Sequence, residues 1–468
     1  MYPIENPVSR RSLLMSASAG FGFVAFAGLS QSRAVSASPS NNPLSPKSPH
    51  FEAKAKRIIF LCMQGGPSHV DTFDYKPKLQ SDAGKSGRFG GGSKLLASPW
   101  KFRQHGQSGL HISELFPEVA KHADELCLIR SMHCDQPAHP QAMTQMHTGN
   151  AQFVRPSLGA WTLYGLGTEN ENLPGFIALN SPANSAQNFG SAFMPAIYQG
   201  TKVGRAQQRG GGGYRSPMAD GPQVPDIQNP RASKAIQREQ LNFIQGLNQK
   251  KLEHDQYQPG VEGMIESYEL AFRMQDALPE MMDISDESQA TRDLYGIDGG
   301  DTDQFGRQCL MARRFVESGV RFVEITHGNW DQHQQLKTAL TSNCRETDKP
   351  IAGLLADLKQ RGMLDDTLVV WGGEFGRTPD GQNGDGRNHN HKGYTTWMAG
   401  GGVKGGMSYG STDEYGYQAV EDKCHIHDWH ATMLHLMGLD HTQLTYRYAG
   451  RNFRLTDVYG NVIDDIVG

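Results

Sequence analysis

The sequence is short of cysteine, of net charge and of clustered basic residues, and each shortage argues against a class of function. Six cysteines occur in 468 residues, and no two are spaced as Cys-x-x-Cys. Nothing in that spacing supports a zinc knuckle or a dithiol redox pair. Cys62 and Cys309 fall in apolar-patterned segments and read as plain core residues; no bridge is assigned among the six. The formal net charge is −4, and Lys and Arg do not cluster beyond the extreme N-terminus. No global field favours DNA or anionic lipid, so no nucleic-acid partner is expected. Hydrophobic residues make up 37% and charged residues 20% of the chain, a balance that fits a folded globular protein rather than a disordered one. The length allows one large core or two medium ones.

Glycine and histidine, by contrast, are abundant. The 54 glycines fall mostly in loops between apolar runs, where tight turns and close backbone approaches need them. Of 18 histidines, nine lie between His327 and His441 and six between His105 and His147. Histidine is the commonest metal ligand, so this crowding carries more information than the total.

The N-terminus reads as an address. Ser9-Arg10-Arg11-Ser12-Leu13-Leu14 is a twin-arginine pattern, an apolar small-residue stretch runs from Leu13 to Leu29, and Val35-Ser36-Ala37 offers a cleavage site. That order describes an export signal over residues 1–37. The stretch is rich in Gly and Ala and only weakly hydrophobic, which favours cleavage over a retained membrane anchor. The expected location is periplasmic or extracellular. Residues 38–50 are rich in Ser, Pro and Asn and read as a linker.

Residues 51–468 have the pattern of an α/β domain with a mostly parallel wound sheet flanked by helices. Arg57–Met63 is a continuous apolar run, as expected of a strand buried on both faces. Further runs span Leu126–Met132 and Phe176–Leu179, with a helix expected around Ile112–Ala123. Residues 184–232, with Gly210–Gly213 and several prolines, read as a Gly-rich excursion. A helical pattern follows, with Ile236, Leu241, Ile244 and Leu247 expected on one face and Pro259-Gly260 interrupting. Phe305, Cys309, Ala312 and Val316 have helical spacing, Gly319 offers a stop and Val320–Ile325 reads as a strand. The pattern repeats: Thr347 as a cap, Ile351, Leu354, Leu355 and Leu358 on one side, Gly362 as the stop, and Thr367–Trp371 as a strand. Helix, glycine and strand in repetition mark a wound α/β sheet. Such folds put their chemistry beyond the carboxyl ends of the strands.

Three polar clusters sit in such places. His327-Gly328-Asn329-Trp330-Asp331-Gln332-His333 follows a strand and offers His327, Asp331 and His333 as metal ligands. Zn²⁺ suits this nitrogen and oxygen set, with Mn²⁺, Fe²⁺ and Ca²⁺ as alternatives. Gly372-Gly373-Glu374-Phe375-Gly376-Arg377 brings an acid and a guanidinium to a strand end. Glu374 is expected as ligand or general base, and Arg377 as the fork for a phosphate or sulfate, or the two close the loop as a salt bridge. Gly386-Arg387-Asn388-His389-Asn390-His391-Lys392 puts two imidazoles on one side of an extended segment. Asp71 and Asp74, after the first strand, are either ligands or turn caps. Asp428 can cap a helix over His427–Met437, where His430 and His435 are expected to pack structurally.

These stretches resemble a bacterial, mostly twin-arginine-exported family of unknown function, domain-of-unknown-function family 1501, placed beside the sulfatases in the alkaline phosphatase superfamily. The resemblance rests on Gly65–Asp74 with Lys76-Pro77, Pro156–Trp161, His327–His333, Gly373–Pro379, Gly400–Val403, Asp428 with Ala431-Thr432, and Gly450–Asp457. It implies an alkaline phosphatase/sulfatase-like fold and a metal-assisted attack on phosphorus or sulfur. By that resemblance Asp331, His333 and His389 or His391 hold one metal. The position of a second metal's Asp-His pair is Glu374-Phe375, where the imidazole is lost, and the strand-one Asp is Gln64, with Asp71 nearby as a substitute. No cysteine stands in the sulfatase Cys/Ser-x-Pro-x-Arg context, so an aldehyde-type nucleophile is not expected. Aligning Met146–Gly149 with the sulfatase Leu-Leu-Thr-Gly segment puts His139 in the nucleophile's place. The implied activity is hydrolysis of a phosphate or sulfate ester. The alternative is a degenerate member that binds sulfated polysaccharide or a partner protein.

Overall fold

Seven residues from Arg57 form the centre of the sheet, because a strand whose side chains are apolar on both faces must be covered on both. The computed structural model describes residues 42–88, 92–182, 186–204, 227, 229, 231–255 and 259–468. The expected signal over 1–37, part of the linker and most of the Gly-rich excursion lie outside the described residues.

In chain order the main strands are β1 (Arg57–Met63), β2 (Leu126–His133), β3 (Phe176–Leu179), β4 (Thr201–Val203), β5 (Phe322–His327), β6 (Thr367–Gly372), β7 (Gly376–Gln382), β8 (Gly386–Asn390), β9 (Tyr394–Ala399), β10 (Met407–Tyr409) and β11 (Cys424–His425). The longer helices are α1 (His139–Thr148), α2 (Leu158–Leu166), α3 (Lys234–Asp255), α4 (Pro259–Met282), α5 (Asp303–Glu317), α6 (Leu336–Gln360) and α7 (Ile426–Leu436). Nine strands form one sheet in the order β10-β2-β9-β6-β1-β5-β3-β4, with β11 also paired to β2. Every pairing in it is parallel except those of β9 with β2 and β6. Helices flank it: α5 packs on β1, β5 and α6, and α2 on β3 and β5. The fold is the mostly parallel α/β architecture expected from the alternating pattern. Ile58, Ile59, Phe60 and Leu61 are buried, and each such side chain contributes about 1.5–3 kcal/mol of transfer free energy.

The parallel register positions the site. Met63 lies opposite His327, and Cys62 opposite both Thr326 and Gly372. The carboxyl ends of β1, β5 and β6 are therefore level, and the loops that leave them emerge side by side. Among the described residues, no helix is long and apolar enough to cross a membrane.

Several local expectations need correction. Around Ile112–Ala123 there is a short strand, Leu110–Ser113, and then a 3₁₀ helix, Val119–Glu125. Leu110–Ser113 pairs with Phe102–His105, and that pairing outweighs the helical spacing. Part of the expected excursion is ordered into the sheet as β4. On α3, Leu241 is buried while Ile236, Ile244 and Leu247 are 53%, 42% and 54% exposed. Five residues advance a helix by about 140° beyond a full turn, so Leu241 faces away from Ile236. Thr347 caps nothing: α6 begins eleven residues earlier, at Leu336 after Gln335, and Thr347 Oγ1 bonds back to Asn343 O at 2.8 Å. Asp428 is not the cap of α7 but the third helical residue of a capping box with His425.

Candidate metal centre

Three loops and a hairpin bring four ligand-type side chains together. After β5 the chain turns through Asn329, at φ 70°, and presents Asp331 and His333. After β6, Glu374 and Phe375 lead into the antiparallel hairpin of β7 and β8, where His389 pairs with Arg377. The hairpin leans on the β5 loop: Arg387 N donates to Gln332 O at 3.0 Å. A side chain at Gly386 would sit 2.0 Å from His333 O, so only glycine allows this approach. His139 arrives from the first turn of α1.

One ligand atom from each of His139, Asp331, His333 and His389 lies within 4.8 Å of all the others. His333 Nε2 is 2.9 Å from His389 Nε2 and 3.0 Å from Asp331 Oδ1, and His389 Nε2 is 3.3 Å from the same oxygen. His139 Nε2 is also 3.3 Å from it and has no hydrogen-bond partner. Behind each ring stands an acceptor. His139 Nδ1 meets Glu374 Oε1 at 2.6 Å, His333 Nδ1 meets Gln382 Oε1 at 2.7 Å, and His389 Nδ1 meets Pro137 O at 2.7 Å. A backbone carbonyl only accepts, so His389 carries its proton on Nδ1. In the neutral ring its Nε2 then points a lone pair at the centre. The amide and carboxylate behind the other two rings set the same tautomer there.

Imidazole lone pairs and a carboxylate oxygen converging at 2.9–3.3 Å repel one another unless protons on the rings or a cation lie between them. Ligands 2.0–2.1 Å from a tetrahedral zinc are separated by about 3.3 Å. The observed spacings fit that shell, so this donor set can take a divalent ion. The four side chains are between 18% and 43% exposed, which leaves the cluster open to solvent on one side. Phe375 covers it from below, with ring centroids 4.8 Å from His139 and 4.6 Å from His389.

The charges around the cluster explain its titration. Burial works against a charged Asp331, yet His139, His389 and Arg377 beside it hold its carboxyl well below the usual range. Burial likewise opposes a proton on His139, but the Asp331 and Glu374 carboxylates outweigh it and raise its pKa to about 9. Glu374 is fully buried and takes the Gly65 N–H at 3.1 Å on each oxygen.

The structure places the other candidates elsewhere. Arg377 is fully buried and faces no open cleft. Its guanidinium donates to Gly65 O, Gly66 O, Trp330 O, Arg387 O and Asp331 Oδ1. It braces the Asp331 loop, and its burial, only partly offset by Asp331, lowers its pKa. The expected Glu374–Arg377 salt bridge is replaced by this contact to Asp331. Asp71 lies apart from the cluster in a fully buried pair with Arg387, at 2.7 and 3.0 Å. Asp74 pairs with Lys76 at 3.0 Å. His327 Nε2 faces Glu346 at 3.0 Å, and its Nδ1 accepts from Trp330 Nε1. His391 is not drawn in with His389, because β8 ends at Asn390, before His391. The same-side alternation expected of His389 and His391 ends with the strand. Gln382 and the Pro137 carbonyl were not anticipated; no sequence signal marks a backbone acceptor or a lone glutamine.

The model of a family described as a protein of unknown function, DUF1501, matches residues 55–467. The chain belongs to this family. No curated protein matches the DUF1501 chain at a significant level. Among solved structures it is similar to the PsFucS1 sulfatase from Pseudoalteromonas sp., at 13% identity, with 82% of this chain and 68% of that one covered and a TM-score of 0.35. A phosphonate monoester hydrolase from Silicibacter pomeroyi gives 10% identity, 82% and 73% coverage and a TM-score of 0.37. A protein in the alkaline phosphatase superfamily from Vibrio parahaemolyticus gives 10% identity, 87% and 72% coverage and a TM-score of 0.35.

Proposed function

We propose that this chain is an exported, metal-dependent hydrolase of phosphate or sulfate esters that does not use an aldehyde-type nucleophile. The observation that carries the reading is the convergence of three imidazole Nε2 atoms on Asp331 Oδ1, each ring held from behind by an acceptor. His139, Asp331, His333 and His389 would hold the ion. A set of three imidazoles and one carboxylate suits Zn²⁺ better than Ca²⁺, which prefers oxygen ligands throughout. A bound ion supplies Lewis acidity toward an ester oxygen and a lowered pKa for a coordinated water. The chain's own residues do the positioning. Glu374 orients the His139 ring, Arg377 fixes the Asp331 loop, and the open side admits an anionic ester. His139, in the nucleophile's place by family resemblance, has Nδ1 held by Glu374 and Nε2 turned toward Asp331 Oδ1 with the other two imidazoles, which favours a ligand role over phosphoryl transfer through its ring. The twin-arginine pattern supports delivery outside the cytoplasm, and the family's sulfatase-like motifs support the choice of ester.

Asp331→Ala and His389→Ala are expected to lose bound metal together with activity on aryl phosphates or aryl sulfates. Full metal retention in both variants rejects the assignment. One observation favours a second reading, a non-catalytic member that binds sulfated polysaccharide or a partner protein: Arg377, the cation expected to grip the anion, is buried and saturated. Metal-loaded protein that binds sulfated polysaccharide saturably yet turns over no aryl ester would establish that reading.

A further inference from the structure

A second group of ligand-type side chains lies inside the fold, away from solvent. Cys62 of β1, His147 of α1 and Glu324 of β5 are at most 3% exposed, and one ligand atom from each lies within 4.8 Å of the other two. Cys62 lies opposite Thr326 and Phe60 opposite Glu324, so thiol and carboxylate come from adjacent parallel strands. His147 Nε2 is 3.1 Å from Glu324 Oε1, and its Nδ1 sits 2.8 Å from Met143 O. That carbonyl accepts a hydrogen bond from Nδ1–H and leaves Nε2 to face the carboxylate. Thr326 Oγ1 also reaches Oε1, at 3.4 Å, while Glu324 Oε2 is buried without a hydrogen-bond partner.

A buried carboxylate with an unmet oxygen is costly. A neutral His147 sets a lone pair against Oε1. A protonated one makes a buried ion pair but still leaves Oε2 unmet. A cation satisfies all the groups at once, with Cys62 Sγ, His147 Nε2 and both oxygens of Glu324 giving four donor atoms. Thiolate and imidazole together select a zinc-class ion over magnesium or calcium. The thiol must ionise to bind. Burial and the Glu324 and Glu374 carboxylates push Cys62 far up, so only a strongly bound cation would hold it as thiolate.

We propose that Cys62, His147 and Glu324 form a closed, structural site for a zinc-class ion, distinct from the open cluster at His333 and His389. Helix α1 carries His139 in its first turn and His147 in its last, so an ion on His147 would pin that helix to the sheet and steady His139. The proposal does not depend on the ester-hydrolase reading.

Full-length protein purified without chelators is expected to hold two zinc-class ions per chain. After exchange into cobalt(II), a thiolate-to-cobalt charge-transfer band should appear in the near ultraviolet. His389→Ala should lose one ion and keep the band. Cys62→Ser should lose the band and one ion while the other stays. Glu324→Gln, which keeps the volume, should also drop one ion, and serves if Cys62→Ser does not fold. A wild-type chain that holds its full cobalt complement without the band overturns the proposal. So does a band and cobalt content unchanged in Cys62→Ser. Loss of metal from the open cluster alone is read separately in His389→Ala and bears on the hydrolase reading.

Discussion

Glu374→Gln tests the difference between a ligand and the group that holds a ligand. Glu374 is fully buried and its Oε1 lies 2.6 Å from His139 Nδ1. The substitution keeps the shape and one carbonyl oxygen but removes the charge. A hydrogen bond to a charged acceptor contributes about 1.5–3 kcal/mol, and tenfold in affinity is about 1.4 kcal/mol. The expected cost is therefore roughly 10–100-fold in metal affinity, the range found when partners behind metal-bound histidines are removed. Only one of the two Gly65 N–H contacts needs to be given up, since the amide oxygen can still accept it. The assay is a competition titration of metal-free protein with zinc against a chromophoric chelator, wild type and variant side by side. Unchanged affinity would refute the idea that Glu374 acts through His139. A loss well beyond a thousandfold would refute it in the other direction and make Glu374 a ligand in its own right.

Three further perturbations follow from the same geometry. Arg387→Met strands the fully buried Asp71 carboxylate and should cost about 3–5 kcal/mol by chemical denaturation; Arg387→Met with Asp71→Leu should recover most of it, and a single variant as stable as wild type would show the pair is not buried as described. Gly65 sits at φ +121°, where a Cβ would lie 2.6 Å from Asp331 N, so Gly65→Ala should displace the Asp331 loop and weaken metal binding at least tenfold; unchanged zinc affinity in the competition titration counts against the packing. His430 is buried, and that burial lowers its pKa to about 3. The unfolded chain titrates it near 6.5, so between those values the unfolded state binds more protons, and stability falls as pH drops from about 6.5 toward 3 by about 1.4 kcal/mol per unit. His430→Gln should flatten that slope in denaturation curves at pH 7, 5.5 and 4.5; an unaltered slope rejects His430 as its source.

Local chemistry made much of the framework legible. The span of β1, the ends of β3, and the stops at Gly319 and Gly362 follow from apolar runs and from positive-φ glycines at 89° and 67°. The Asp331 and His333 loop was visible because polar ligands directly after a buried strand fall at a sheet's carboxyl edge. Which residues join them was not. His139 is almost two hundred residues from Asp331 along the chain, and Cys62 stands far before both His147 and Glu324, and only the level ends of parallel strands bring such groups within reach. Glu324, a carboxylate between Val323 and Ile325 in a buried strand, is a mark of such a site in the sequence itself. Arg377 and Asp71 carry functional-looking side chains, yet packing spends both on internal contacts. Sequence by itself determined the buried strands β1, β3 and β6 and the turns at Gly319 and Gly362, since propensity and hydrophobic pattern act over a few residues, but not the strand Leu110–Ser113, which its pairing with Phe102–His105 decides. The tertiary structure alone decided which imidazoles share a centre, because that depends on strand register and on the hairpin's lean against the β5 loop, neither of which is encoded within any one segment.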